Sequence, residues 1–100
     1  MGETDKTKRM RLLANSLSIL SHPIRLSIMS YLARKESASW TELFKELENE
    51  RGYLNPNTLN FHLTKLLDGG LIKKKGEHFT LAERAKREKI ITTILSELEV

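Results

Sequence analysis

Few side chains here are suited to covalent or metal chemistry, and their placement argues against both. There are three histidines and no cysteine, so a thiolate metal site, a disulfide framework and a cysteine nucleophile are excluded together. His22, His62 and His78 stand 40 and 16 residues apart, without the i, i+3 or i+4 spacing by which one helix presents two metal ligands. His62 reads as a packed residue at the edge of a core, His22 as part of the end of the first helix, and His78 as a group within reach of a phosphate. No glycine-rich phosphate loop is present, and the carboxylates fall mostly on helix surfaces without a recognisable partner. No metal, no cofactor and no catalytic residue is expected.

What remains is the chemistry of hydrogen bonding and positive charge. At about 100° per residue, Leu59, His62, Leu63 and Leu66 cluster on one side of a helix over about 56–68. The opposite arc carries Asn57, Thr58, Asn60, Phe61, Thr64 and Lys65, with one acid, Asp68, at its far end. Asn can donate to and accept from adenine edges, Thr can meet bases or thymine methyls, and Lys can reach a phosphate or guanine. Beyond it, Lys73, Lys74 and Lys75 precede a turn and His78 follows it, so a hairpin over 71–81 could straddle backbone phosphates. Alone, either feature is more often simply the solvated side of an amphipathic element.

The supporting helices and strands follow from periodicity and caps. Leu13, Leu17 and Leu20 repeat at helical spacing and define a first helix over about 6–20. Pro23 suits the first turn of a second helix, reaching about Ala33 with Ile24, Ile28 and Leu32 four apart. Ser37 to Trp40 reads as a brief strand. Ser39 and Glu42 have capping-box spacing for a third helix ending near Asn49, with Thr41 as the alternative cap. Asn55-Pro56 opens the fourth helix, and Gly69-Gly70 closes it. Two short strands, Leu71 to Lys75 and His78 to Leu81, form the hairpin. Thr80 and Glu83 offer a further capping box for one last helix over 82–98. The fold class is therefore mainly α with a small β wing, in the order α-α-β-α-α-β-β-α, with the third and fourth helices in the order of a helix-turn-helix.

At this point the segments LSHPIRLSIMSYL, SWTELFKEL and NTLNFHLTKLLDGGLIKKK resemble the winged helix-turn-helix regulators of the ArsR-like superfamily, especially short archaeal-type members. The resemblance spans about residues 16 to 90. His22-Pro23-Ile24-Arg25 opens the second helix as in that family, and Leu59 through Ile72 resembles its recognition helix, Gly-Leu exit and first wing strand. The resemblance implies a dimer that places its recognition helices in successive major grooves and usually represses transcription. It supplies no ligand, and the cysteine-bearing metal-sensing motif of many members is absent.

Composition bounds the rest. One hundred residues at 39% hydrophobic content support one domain, 1–100, with one modest core. No apolar run approaches the roughly 20 residues of a membrane span, and the first residues lack a secretion signal, so a cytoplasmic protein without a membrane partner is expected. The net charge is +4, distributed unevenly. Residues 1–36 carry seven basic against three acidic side chains (+4), 37–54 two against four (−2), 55–80 four against two (+2), and 81–100 four of each. The expected partner is double-stranded DNA. The last helix carries Ile91, Ile94, Leu95 and Leu98, a wider stripe than a terminal helix needs alone. With Leu13, Leu17 and Leu20 it is expected to form a homodimer interface; the alternative is that both helices pack only on their own domain. The competing functions are a winged helix used as a protein-interaction module and an RNA binder, for which only Phe61, Tyr53 and Phe79 could stack bases.

Overall fold

Why these residues form these elements is clearest at their ends. The computed structural model describes residue 2 and residues 4–98. Helix α1 (Asp5–Leu20) starts where the Thr4 hydroxyl accepts from the Thr7 N–H, and it closes at Ser21, whose hydroxyl donates to the Ser18 carbonyl at 2.7 Å. Helix α2 (Pro23–Lys35) opens with proline in its first turn. His22, expected to end the first helix, instead caps the second: its Nδ1 accepts from the Ile24 N–H at 3.2 Å. An imidazole acceptor there satisfies one of the orphan N–H groups that proline leaves at the helix start.

Strand β1 (Ser37–Ser39) leads into helix α3 (Trp40–Arg51), and the expected capping box is formed. The Ser39 hydroxyl accepts from the Glu42 N–H at 3.1 Å, and the Glu42 carboxylate accepts from the Ser39 N–H at 3.3 Å. Thr41 lies inside the helix. Helix α3 runs two residues past Asn49, to Gly52 at φ 84°. Helix α4 (Pro56–Asp68) starts at Asn55, whose side chain accepts from the Asn57 N–H at 2.8 Å. The two glycines that end it differ. Only Gly70 is left-handed, at φ 73°. Gly69 has ordinary backbone angles, but a Cβ there would run into the end of the Ile19 side chain.

Strands β2 (Ile72–Lys75) and β3 (His78–Leu81) form the hairpin, and β1 adds to its far side, giving an antiparallel sheet in the order β1-β3-β2. Ala38 stands opposite Phe79, and both are buried. Thr80 pairs with Ser37 on one side and Lys73 on the other, so it belongs to the sheet and caps nothing. The cap of the following helix is Ala82, which makes no side-chain cap bond.

The single helix expected over 82–98 is two, α5 (Glu83–Arg87) and α6 (Lys89–Glu97), divided at Glu88 by extended backbone, φ −75° and ψ 108°. Packing gives the reason. Ala85 and Ile91 are both fully buried, yet on one continuous helix they would point roughly 120° apart at about 100° per residue. The break re-phases the second segment so that Ile91 and Leu95 return to the core. That core is centred on α2, whose Ile28, Met29 and Leu32 are fully buried against α3, α4, α6 and β3. Among the described residues, no helix is long and apolar enough to cross a membrane.

Candidate nucleic-acid interface

Helix α4 keeps the two-faced character of its sequence. Leu59, His62, Leu63 and Leu66 are buried, while Asn57, Asn60, Phe61, Thr64 and Lys65 are exposed and Thr58 is half-buried. The buried face is anchored through one polar contact. His62 is only 4% exposed, and the Arg25 Nε–H donates to its Nδ1 at 3.0 Å, while the same guanidinium donates to the Ile19 carbonyl at 3.0 Å. Accepting at Nδ1 puts the proton of the neutral imidazole on Nε2. The His22 ring lies 4.2 Å from it, centre to centre. Burial first, then the charges of His22, Arg25 and Arg51, push the His62 pKa down to about 4. The packed role expected for His62 thus has a geometric basis. Among the described residues, no cluster of three side chains of metal-binding type occurs.

On the solvent side, Phe61 is 53% exposed and flanked by two cations, with Lys65 Nζ 5.4 Å and the Arg25 guanidinium 6.0 Å from its ring. Arg25 adds a positive group from α2 to the face that sequence reasoning drew from α4 alone. A second contribution from outside α4 comes from Trp40, in the first turn of α3. Its indole N–H donates to Asn60 Oδ1 at 2.8 Å, and its ring stacks on Phe44 at 5.0 Å. This bond ties the two helices of the helix-turn-helix across the turn at 52–55. Neither Arg25 nor Trp40 could be placed at this face by periodicity within one helix, because each arrives from another element.

The hairpin does not present its three lysines alike. Lys73 stands opposite Thr80, Lys74 opposite Phe79 and Lys75 opposite His78, so the two-residue period of a strand puts Lys73, Lys75 and His78 on one face and Lys74 on the other. Lys74 Nζ lies 5.6 Å from the centre of the Phe79 ring, the aliphatic stem following an apolar surface with the charge outside. Lys74, Lys75 and His78 are exposed and Lys73 is half-buried. The wing abuts α4 through β2. The exposed Tyr53, at 83%, sits in the turn that precedes α4.

The residues expected at a dimer interface separate into two groups. Leu20, Ile91 and Leu95 are buried in the protomer's own core, so their side chains are already covered and hold α1 and α6 in place. Leu17 at 38% and Leu98 at 49% are exposed, Leu13 and Ile94 are half-buried, and Met10, Leu12 and Ile90 add exposed apolar surface on the same two helices.

The family described as "Helix-turn-helix domain" matches residues 20–75, from the end of α1 to the end of β2. A search of curated protein sequences gives no match. Among solved structures, the chain is similar to HlyU from Vibrio cholerae, at 23% identity over 91% of each chain with a TM-score of 0.69. It is also similar to the transcriptional regulator HlyU from Vibrio vulnificus, at 22% identity over 96% of each chain and a TM-score of 0.69. A third similar structure is the homodimeric winged helix-turn-helix DNA-binding domain Mb0332 from Mycobacterium bovis, described as a possible ArsR-family transcriptional regulator. It is 19% identical over 100% of this chain and 93% of that one, with a TM-score of 0.67. With the helix-turn-helix in α3 and α4 and the wing in β2 and β3, the fold is the winged helix-turn-helix of these solved structures, and the chain belongs to the helix-turn-helix domain family.

Proposed function

We propose that this protein is a sequence-specific regulator that binds duplex DNA as a homodimer and represses transcription from within the cytoplasm, the whole chain 1–100 acting as one DNA-binding domain. The observation that carries the reading is the division of α4, with four residues buried on one side and Asn57, Asn60, Phe61, Thr64 and Lys65 exposed on the other, beside a hairpin bearing three lysines. In this reading α4 enters the major groove, with Asn57, Thr58, Asn60, Phe61, Thr64 and Lys65 at base edges and phosphates. Lys73, Lys74, Lys75 and His78 meet the flanking backbone.

The second copy docks on the apolar surface of α1 and α6. Support comes from the unburied Leu12, Leu17, Ile90 and Leu98 there and from the homodimeric state of the similar Mycobacterium bovis domain. Two-fold pairing would set the recognition helices about 34 Å apart, one turn of duplex. The test is selection from a random duplex library at two salt concentrations, with sequencing of the bound fraction. Enrichment of an inverted repeat, with affinity falling steeply as salt rises, is the expected result. Salt-sensitive binding without enrichment would remove sequence specificity from the reading. No binding at low salt would overturn it in favour of a protein-interaction module.

A further inference from the structure

Asn is the usual partner of adenine in the major groove because its amide offers one acceptor and one donor, matching adenine N6 and N7. In Asn60 one lone pair of that acceptor is already engaged. The indole nitrogen of Trp40 carries a hydrogen and has no lone pair to accept with, so the amide atom 2.8 Å from it is the oxygen, and the NH2 group is turned away. Trp40 is itself fixed, stacked on Phe44 with the ring planes 10° apart. It sits in the first turn of a helix whose start is locked by the Ser39 and Glu42 capping box. Asn60 Nδ2 has no protein partner among the described residues and stands on the exposed face of α4.

We propose that Trp40 is a specificity-determining residue that turns the NH2 group of Asn60 toward the groove, so that Asn60 reads chiefly as a donor and selects guanine over adenine. The proposal rests on the DNA-binding reading above. Guanine alone presents two adjacent acceptors there, N7 and O6, which one NH2 group can serve together. Adenine presents its N6 amino group beside N7, setting donor against donor. Binding adenine in the usual two-bond fashion would require the amide oxygen to leave the indole N–H or to accept from two donors at once. Trp40 acts through Asn60 and is a positioning residue.

The test is library selection with wild type, Asn60→Ala, Asn60→Asp and Trp40→Phe, the last keeping an aromatic ring against Phe44 while removing the donor. Asn60→Ala locates the half-site position that Asn60 reads. Wild type should favour guanine over adenine there by roughly 5- to 150-fold, the range of one good base contact. Substituting 7-deazaguanine at that position should remove most of the preference. Asn60→Asp, which keeps an acceptor for the indole but has no NH2 group, should lose the guanine preference. Trp40→Phe, with the amide free to turn over, should move the preference at this one position toward adenine, a change of preferred base that general loss of folding would not produce. Adenine at that position in wild type, an unchanged preference in Trp40→Phe, or no position responding to Asn60→Ala would each overturn the role of Trp40 and leave DNA binding standing. Absence of any sequence enrichment by wild type would instead bring down the reading on which it rests.

Discussion

His62 concentrates at one residue the tension between packing and charge. As a neutral ring it fills the space between α4 and α2 and accepts from Arg25; as a cation it would lose that bond and face Arg25, Arg51 and His22 across a buried site. An unfolded chain takes up this proton near pH 6.5, the folded chain only near 4. Stability from His62 is therefore intact above pH 6.5 and is lost as pH falls from there toward 4, because the unfolded state binds more protons in that window. The loss should reach at most about 3.5 kcal/mol at about 1.4 kcal/mol per pH unit. Urea denaturation at pH 7.5 and 4.5 measures it. His62→Gln, which keeps an acceptor for Arg25, should lose less stability over the same interval, and an identical loss in both proteins would remove His62 as the cause.

Among the elements, the wing and the final helix pair have separable roles. Replacing Lys73, Lys74 and Lys75 by Ala should weaken binding to every sequence and reduce the slope of log affinity against log salt by roughly 2 to 3, close to one unit for each phosphate that is no longer neutralised. An unchanged slope would take the wing out of the interface. Because Lys74 lies on the opposite strand face from Lys73 and Lys75, its single replacement should reduce the slope least. The α5 segment is held by Arg84, whose guanidinium donates to the Gly69 carbonyl at 2.5 Å and to the Ser16 hydroxyl. One side chain thereby joins α1, the end of α4 and α5. Arg84→Met keeps most of the apolar stem and should cost about 2 kcal/mol, the range for hydrogen bonds made by a charged group. A shift of the urea midpoint equivalent to under about 0.5 kcal/mol, the scale of an ordinary surface substitution, would show these bonds to be dispensable.

For the whole molecule, the decisive question is how many copies act together. The protein extends 49 × 28 × 24 Å, and α1 covers little of its own length against the rest of the fold: only Ser16 and Leu20 of its sixteen residues are buried. A charge placed on that exposed apolar surface should separate the copies without unfolding either one. Leu17→Glu is expected to sediment as a monomer at micromolar concentration with unchanged helix content. It should also lose about 100-fold or more in affinity for an inverted repeat, since engagement of the second half-site is no longer intramolecular. A dimer that survives Leu17→Glu together with Leu98→Glu would place the interface elsewhere.

Periodicity and caps were enough to locate the elements, because such signals depend on near neighbours along the chain: Asn55-Pro56, the Ser39 and Glu42 box and the four-residue spacing of the core all act within one or two turns. The two faces of α4 were legible for the same reason, as was the basic hairpin beside it. What the local pattern could not carry was any relation between elements. The division of the last helix at Glu88 arises from two buried residues that must face one core. The assignment of His22 to the start of α2 depends on which neighbouring N–H its ring meets in space. Leu20, Ile91 and Leu95 share the periodicity of Leu17 and Leu98 but not their exposure, since burial depends on what packs above a helix face. The order of residues thus specifies a winged helix whose α4 carries one polar face. How that face is presented is set by packing, because the bond from Trp40 to Asn60 spans twenty residues and exists only once α3 and α4 have come together.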